Sequence, residues 1–287
     1  MAADGGYRLG GGAPEPDPAR IEAIAAAWGD QDQAAFGAEP HGTLASTLDR
    51  TLSETRNGDL TEASGLIAHL RNALDGLSPA SLEPRRGLAG LFDSRQRRLK
   101  ALRARYLAAS RTLNETGIEL TDRADRVERR SRVLEDVWGD IRSAVTDLDA
   151  HVVAGADRCP PVPALTEGEA MPDEAAPLRQ RLSQLSSARQ AGIRTLPLIR
   201  MAQNAEVSAL ACLQRLPQAI GDWRDDWKDA LGLMGKRPRK VRPDPVRLAR
   251  TRDALLAALD QADAAIAAAR TRRAEVEARM DAARKAV

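Results

Sequence analysis

Between residues 99 and 148 every seventh position is apolar: Leu99, Tyr106, Leu113, Leu120, Val127, Leu134, Ile141 and Leu148. Eight consecutive matches in one register have a chance expectation well under about 1%. A repeat of 3.5 residues is a helical repeat, because an α-helix turns once in about 3.6. The pattern predicts one helix over 93–155, capped by Ser94 and stopped near Gly155. At about 1.5 Å per residue it would run for roughly 90 Å. Such a helix cannot bury its own apolar stripe, so other helices must lie along it. The companion positions are weaker: Leu102, Ala109, Thr116, Arg123, Arg130, Val137 and Ala144. From Trp138 onward the stripe shifts by one residue, to Trp138, Val145 and Val152.

The rest of the chain supplies the partners. Residues 1–16 read as a disordered Gly/Pro tail. Asp17-Pro18, an N-cap followed by a first-turn proline, opens a region of short helices over 17–92. Their stripes are Ile21, Ile24, Ala25 and Trp28, then Leu44, Leu48 and Leu52, then Leu66, Leu70 and Leu74. Phe36-Gly37 and the turn Arg56-Asn57-Gly58-Asp59 separate them. Residues 156–177 contain five prolines and read as a linker. A returning helix follows over 178–235, and Pro197 is expected to break or kink it, because proline lacks the N–H and crowds the preceding turn. Residues 236–244 form a basic linker, and Asp244-Pro245 starts a last helix over 245–287. Its stripe of Leu255, Leu259, Ala262, Ile266, Ala269, Val276, Met280 and Ala283 is interrupted at Arg273. No strand pattern occurs. The expected fold is all-α: an elongated long-helix hairpin or three-helix, coiled-coil-like bundle, with the short helices packed at one end.

Composition narrows the function classes. Aromatics are 3% and charged residues 29%, a balance that suits long solvated helices rather than a β-rich core. A net charge of +2 makes no global case for nucleic acid. Cys159 and Cys212 have no CxxC spacing, so a disulfide framework is not expected and a reducing, cytoplasmic compartment is. No apolar run of about 18 residues predicts a spanning helix. His41, His69 and His151 show no ligand spacing with the cysteines. Gly232-x-x-Gly235-Lys236 lacks the Ser/Thr and the preceding strand of a phosphate loop. The reading is a non-enzymatic protein with no catalytic, metal or cofactor-binding residues.

Three groups of residues stand out. Arg85, Arg86, Arg95, Arg97, Arg98, Lys100, Arg103 and Arg105 are eight cations against one acid, Asp93, beside apolar Leu88, Leu91 and Phe92. They read either as a surface for an anionic partner, such as acidic lipid headgroups, or as a solvated helix face. Lys236 to Arg242 adds five cations in seven residues, and would join that footprint if the hairpin brings both runs together. No aromatic platform interleaves with them, which argues against nucleic acid. Trp223 and Trp227, one turn apart among Asp222, Asp225, Asp226 and Asp229, read either as a partner-docking patch or as core. Arg200, Gln203 and Asn204, beside Pro197, read either as a polar network that fixes register or as a ligand site.

Four stretches resemble the TelA/KlaA-type toxic-anion (tellurite) resistance family. The first is Phe36-Gly37 through Arg56-Asn57-Gly58-Asp59 to Leu66 and Leu70; the second is Gly87-Leu88-Ala89-Gly90-Leu91-Phe92 with Tyr106, Leu120 and Leu134 to Trp138. The third is Pro197-Leu-Ile-Arg200-Met201-Ala-Gln203-Asn204, which is similar to the family's P-x-x-R-M-x-Q-x-N and is followed by Trp223 and Ala230-Leu231-Gly232-Leu233. The fourth is the last helix, with Leu255-Leu256 and Arg272-Arg273-Ala274-Glu275. Gly235 to Pro243 stands where members carry a longer polar helical segment. The resemblance implies tellurite and toxic-anion resistance and a part in the stress response. It sets the expectation of a scaffold or adaptor with protein partners, in the cytoplasm and peripheral to the anionic inner membrane. A structural scaffold unrelated to anions and an enzyme acting on oxyanions are the alternatives. The oligomeric state stays open, with an intramolecular seam favoured.

Overall fold

The computed structural model describes residues 16–28, 33–56, 59–83, 94–159, 174–285 and 287. Arg85, Arg86 and the apolar Leu88, Leu91 and Phe92 lie outside the described residues. So do nearly all of the expected tail and residues 160–173 of the expected linker.

The described chain forms α1 (Pro18–Ala27), α2 (Ala38–Thr55), α3 (Asp59–Asp75), a short 3-10 turn (Pro79–Leu82), α4 (Arg95–Arg158), α5 (Ala176–Ala230) and α6 (Pro245–Arg284). No strand occurs among the described residues. Local chemistry sets the helix starts. Asp17 Oδ1 accepts from Ala19 N at 3.0 Å, Ser94 Oγ from Arg97 N at 3.2 Å and Asp244 Oδ1 from Val246 N at 2.9 Å. Each cap satisfies one of the donors that a first turn leaves unpaired. Gly155 does not end α4, which runs on to Arg158.

α5 is helical throughout, Pro197 and Pro217 included, so the expected break at Pro197 does not occur. An internal proline costs about 3 kcal/mol. Leu196, Leu198 and Ile199 around it are all buried, and each contributes about 1.5–3 kcal/mol by leaving water. Thr195 also turns its hydroxyl inward, donating to Ala191 O at 2.9 Å.

All eight positions of the seven-residue stripe in α4 are buried. So are most of the weaker companions, including Thr116 at 5% exposed and Arg130 at 4%. The chain makes two compact units, each with its own core. One comprises Met1–Asn57, Arg130–Asn204 and Arg273–Val287; the other comprises Gly58–Arg129 and Ala205–Arg272. In the first, Leu44, Leu48 and Leu52 of α2 join Leu134, Ile141 and Leu148 of α4, Leu185 and Leu196 of α5, and Val276 and Met280 of α6. In the second, Leu60, Ile67, Leu70 and Leu74 of α3 join Leu102, Leu113 and Leu120 of α4, Leu213 and Trp227 of α5, and Leu255 and Leu259 of α6.

The short helices are therefore divided between the units. α1 and α2 belong to one and α3 to the other, so α1, α2, α4, α5 and α6 build the first core and α3, α4, α5 and α6 the second, where the sequence suggested three long legs. Helix directions follow from the pairings. In the first unit Arg189 meets Asp149 and Arg200 meets Glu135, which sets α5 antiparallel to α4. In the second, Arg71 meets Asp260 and Ser64 meets Asp263, which sets α6 antiparallel to α3.

Candidate functional site

The two basic runs of the sequence do come together within the second unit. Arg95, Gln96, Leu99, Lys100, Arg103 and Leu107 of α4 face Leu233, Pro238, Arg239, Lys240, Val241 and Arg242 across an open groove of about 950 Å³. Six cations line it, and no carboxylate or aromatic ring among the described residues does. Its floor is apolar: Leu99 is buried, while Leu233 and Val241 are half-buried. Leu107 stands 57% exposed on its wall.

This groove is built rather than accidental. The α5 helix ends at Ala230, and Gly232 follows with φ +69°, a left-handed conformation suited to glycine. A Cβ at Gly232 would sit 2.8 Å from Val241 Cγ1 and 3.1 Å from Arg239 O, so the close return of the chain also requires glycine. The loop is closed by Arg239 N donating to Gly232 O at 2.9 Å. Arg103 then clamps it from α4, donating through Nε to Leu231 O at 2.9 Å and through Nη2 to Arg239 O at 2.7 Å. Its guanidinium holds the backbone, so the charges left facing the groove are those of Arg95, Lys100, Arg239, Lys240 and Arg242. All five are exposed. Arg247 pins the start of α6 to the end of α5, contacting Asp226 Oδ1 at 2.5 Å and Asp229 Oδ2 at 3.3 Å. The hydrogen bond to Asp226 raises the Arg247 pKa further above its ordinary value.

Of the remaining candidates in the first basic run, Arg97 and Arg105 are exposed on α4 outside the groove lining, and Arg98 is half-buried. From the sequence Arg103 is one cation of a patch that reads either as a surface for an anionic partner or as a solvated face; the structure gives it the positioning role just described. Leu107, Leu233 and Gly232 were missed as groove-builders. Leu107 is off the seven-residue stripe, and that absence from the buried register was the signal available.

Trp223 and Trp227 do not form a docking patch. They are 2% and 0% exposed, in a ring cluster with Tyr106. Apolar rings of this size are driven into the core, leaving the neighbouring Asp residues outside. Trp227 Nε1 donates to Thr251 Oγ1 at 3.0 Å, while Trp223 Nε1 has no partner among the described residues. The Tyr106 hydroxyl donates to Arg224 O at 2.8 Å, and burial raises its pKa above 10.0.

In the first unit Arg200 and Gln203 tie α5 to α4. Arg200 grips both carboxylate oxygens of Glu135, the contact to Oε1 being 2.8 Å. Its Nη1 also donates to Gln203 Oε1 at 3.0 Å, and Gln203 Nε2 donates to Ser131 O at 2.9 Å. The guanidinium stacks 4.5 Å from the centroid of Trp138. The Arg200 hydrogen bond holds the Glu135 carboxyl below its ordinary pKa. Every donor of this cluster that the contacts define points at protein, which is register-fixing chemistry. Asn204 is exposed beside it.

No group of three or more His, Cys, Asp or Glu that could hold a metal occurs among the described residues. No helix among them is long and apolar enough to cross a membrane. Cys159 and Cys212 are free thiols.

A family model described as toxic anion resistance protein (TelA) matches residues 22–212. The match contains the start of α4 and the Arg200–Gln203 cluster. It stops at Cys212, before Trp223, the basic linker and α6. No curated protein matches the chain, and no solved structure does.

Proposed function

This chain belongs to the toxic anion resistance protein (TelA) family, and on that premise we propose a non-enzymatic helical scaffold or adaptor. It works in resistance to tellurite and similar oxyanions, at the cytoplasmic face of the membrane, where it gathers protein partners. The observation that carries the reading is the cationic groove. Two basic runs more than 130 positions apart in the chain are folded onto one opening, and a dedicated arginine clamp keeps them there. Clustered cations attract an anionic surface at about 1 kcal/mol per residue near it.

Two experiments test the two halves. Deleting the gene should lower tolerance to tellurite, and unchanged tolerance across several toxic anions overturns the resistance half. Purified protein should sediment with anionic vesicles at low salt, and failure to do so overturns the membrane half. Turnover of tellurite with a reductant by the pure protein would replace the scaffold with an enzyme.

A further inference from the structure

We propose that the groove seats the phosphate of an anionic phospholipid while Leu107 and Met234 enter the acyl layer beside it. The inference rests on the membrane reading above and names its occupant.

The groove has two chemistries, and a simple polyanion needs only one of them. Arg95, Lys100, Arg239, Lys240 and Arg242 suit a phosphate; Leu99, Leu233 and Val241 beneath them suit hydrocarbon. A purely acidic protein segment would use the cations and leave Leu99, Leu233 and Val241 without a counterpart. A single-stranded nucleic acid is held by stacking rings as well as cations, and no ring lines the groove among the described residues. An anionic amphiphile uses both, and the volume of about 950 Å³ falls in the range that small ligands occupy.

The surface around the opening repeats the pattern. Leu107, on the wall, is 57% exposed; Met234, next in sequence to the lining Leu233, is 59% exposed; Val246, four residues past the lining Arg242, is 75% exposed. Exposed leucine, methionine and valine beside cations match the composition of surfaces that lie in the headgroup–acyl boundary. Arg103, held by two carbonyls, fixes the cations and Leu233 on one loop, so headgroup and acyl contacts would be made together.

The test measures co-sedimentation of the full chain with vesicles containing roughly a third phosphatidylglycerol, and with pure phosphatidylcholine vesicles, across a salt series. Four proteins are compared: wild type, Lys240→Gln/Arg242→Gln, Leu107→Ser/Met234→Ser, and Arg105→Gln as a charge control outside the groove. The substituted positions of the first two variants are exposed or line an open wall, and unchanged thermal melting checks their folding. Wild type should prefer the anionic vesicles by tenfold or more and keep part of its binding at about 0.5 M salt, where screening has removed most electrostatic attraction. Leu107→Ser/Met234→Ser should lose that salt-resistant part and bind roughly tenfold more weakly at low salt. Lys240→Gln/Arg242→Gln should lose the preference for phosphatidylglycerol, and Arg105→Gln should change little. If Leu107→Ser/Met234→Ser matches wild type at every salt, insertion is wrong and the surface reading survives. If wild type ignores both vesicles, the two fail together. If polyglutamate displaces the protein from vesicles and binds the serine variant as well as wild type, the groove takes an acidic protein instead.

Discussion

Arg103 donates through Nη2 to the backbone carbonyl of Arg239 at 2.7 Å, so one cation holds another's main chain. Its Nε holds Leu231 O as well, which makes the planar fork of arginine essential. Arg103→Gln should release the loop over 232–241, and Arg103→Lys, with a single ammonium, should rescue it only in part. Hydrogen bonds from a charged donor are worth about 1.5–3 kcal/mol, which corresponds to roughly tenfold or more in local opening. Hydrogen exchange of the Arg239 amide, which donates to Gly232 O, reads this directly. Unchanged exchange in both variants would rule out the clamp.

The two buried tryptophans should respond differently to loss of the ring nitrogen. Trp227→Phe removes the one bond that Thr251 Oγ1 accepts from Trp227 while its contacts to Arg247 O and Leu248 O remain, whereas Trp223→Phe removes an N–H that has no partner among the described residues. Both leave a similar cavity. Chemical denaturation should show Trp227→Phe as the more destabilising change by about 1 kcal/mol. Equal losses would mean that the Trp227–Thr251 hydrogen bond adds nothing.

Glu135 makes acid stability depend on Arg200. The hydrogen bond from Arg200 lowers its pKa below 4.5, so the folded chain binds this proton less readily than the unfolded chain. The contribution is present above about pH 4.5 and is lost as pH falls through the lowered folded value. With the side chain 53% exposed, solvent screening limits it to about 0.2–1 kcal/mol. Asp49 and Asp281 shift the same way, held down by Arg284 and Lys285, so the useful quantity is the difference between chains. Melting midpoints from pH 7 to pH 3 should fall less steeply for Glu135→Gln than for wild type. Parallel curves would show that the pair has no role in acid stability.

Gly192 brings α5 against its neighbours in the first unit. A Cβ there would lie 2.5 Å from Val145 Cγ2 and 3.2 Å from Leu44 Cδ1, with both side chains buried. Gly192→Ala should therefore destabilise by about 1–3 kcal/mol through overpacking, despite alanine's better helix propensity. Gly221, with nothing within 4 Å, is the control, and Gly221→Ala should stabilise by about 0.5–1 kcal/mol. Thermal melting of both variants decides between propensity and packing.

The long helix, its buried register and its Ser94 cap were legible because they depend on local spacing. The sequence also showed an interruption at Arg273 without its cause. Arg273 is 8% exposed, and its guanidinium donates to Thr55 O, the last carbonyl of α2. It is thus a core position filled by a charged group that finishes another helix. A residue whose partner lies more than 200 positions away leaves no periodic trace. At Pro197 the expected break does not occur for the opposite reason: its local penalty is real, and the buried Leu196, Leu198 and Ile199 outweigh it. The groove was half legible. Both basic runs were visible, but their meeting depends on Gly232 and Arg103, which look ordinary in one dimension.

The interleaving of the two units governs what can be cut from this protein. Each of α4, α5 and α6 crosses from one unit to the other, and the first unit takes its segments from the start, middle and end of the chain. No single scission yields either core as one continuous piece. A fragment ending with the family match at Cys212 would lack α6, which lines both cores. Truncation here removes a wall from two rooms at once, so a fragment that stops short of α6 leaves both cores open.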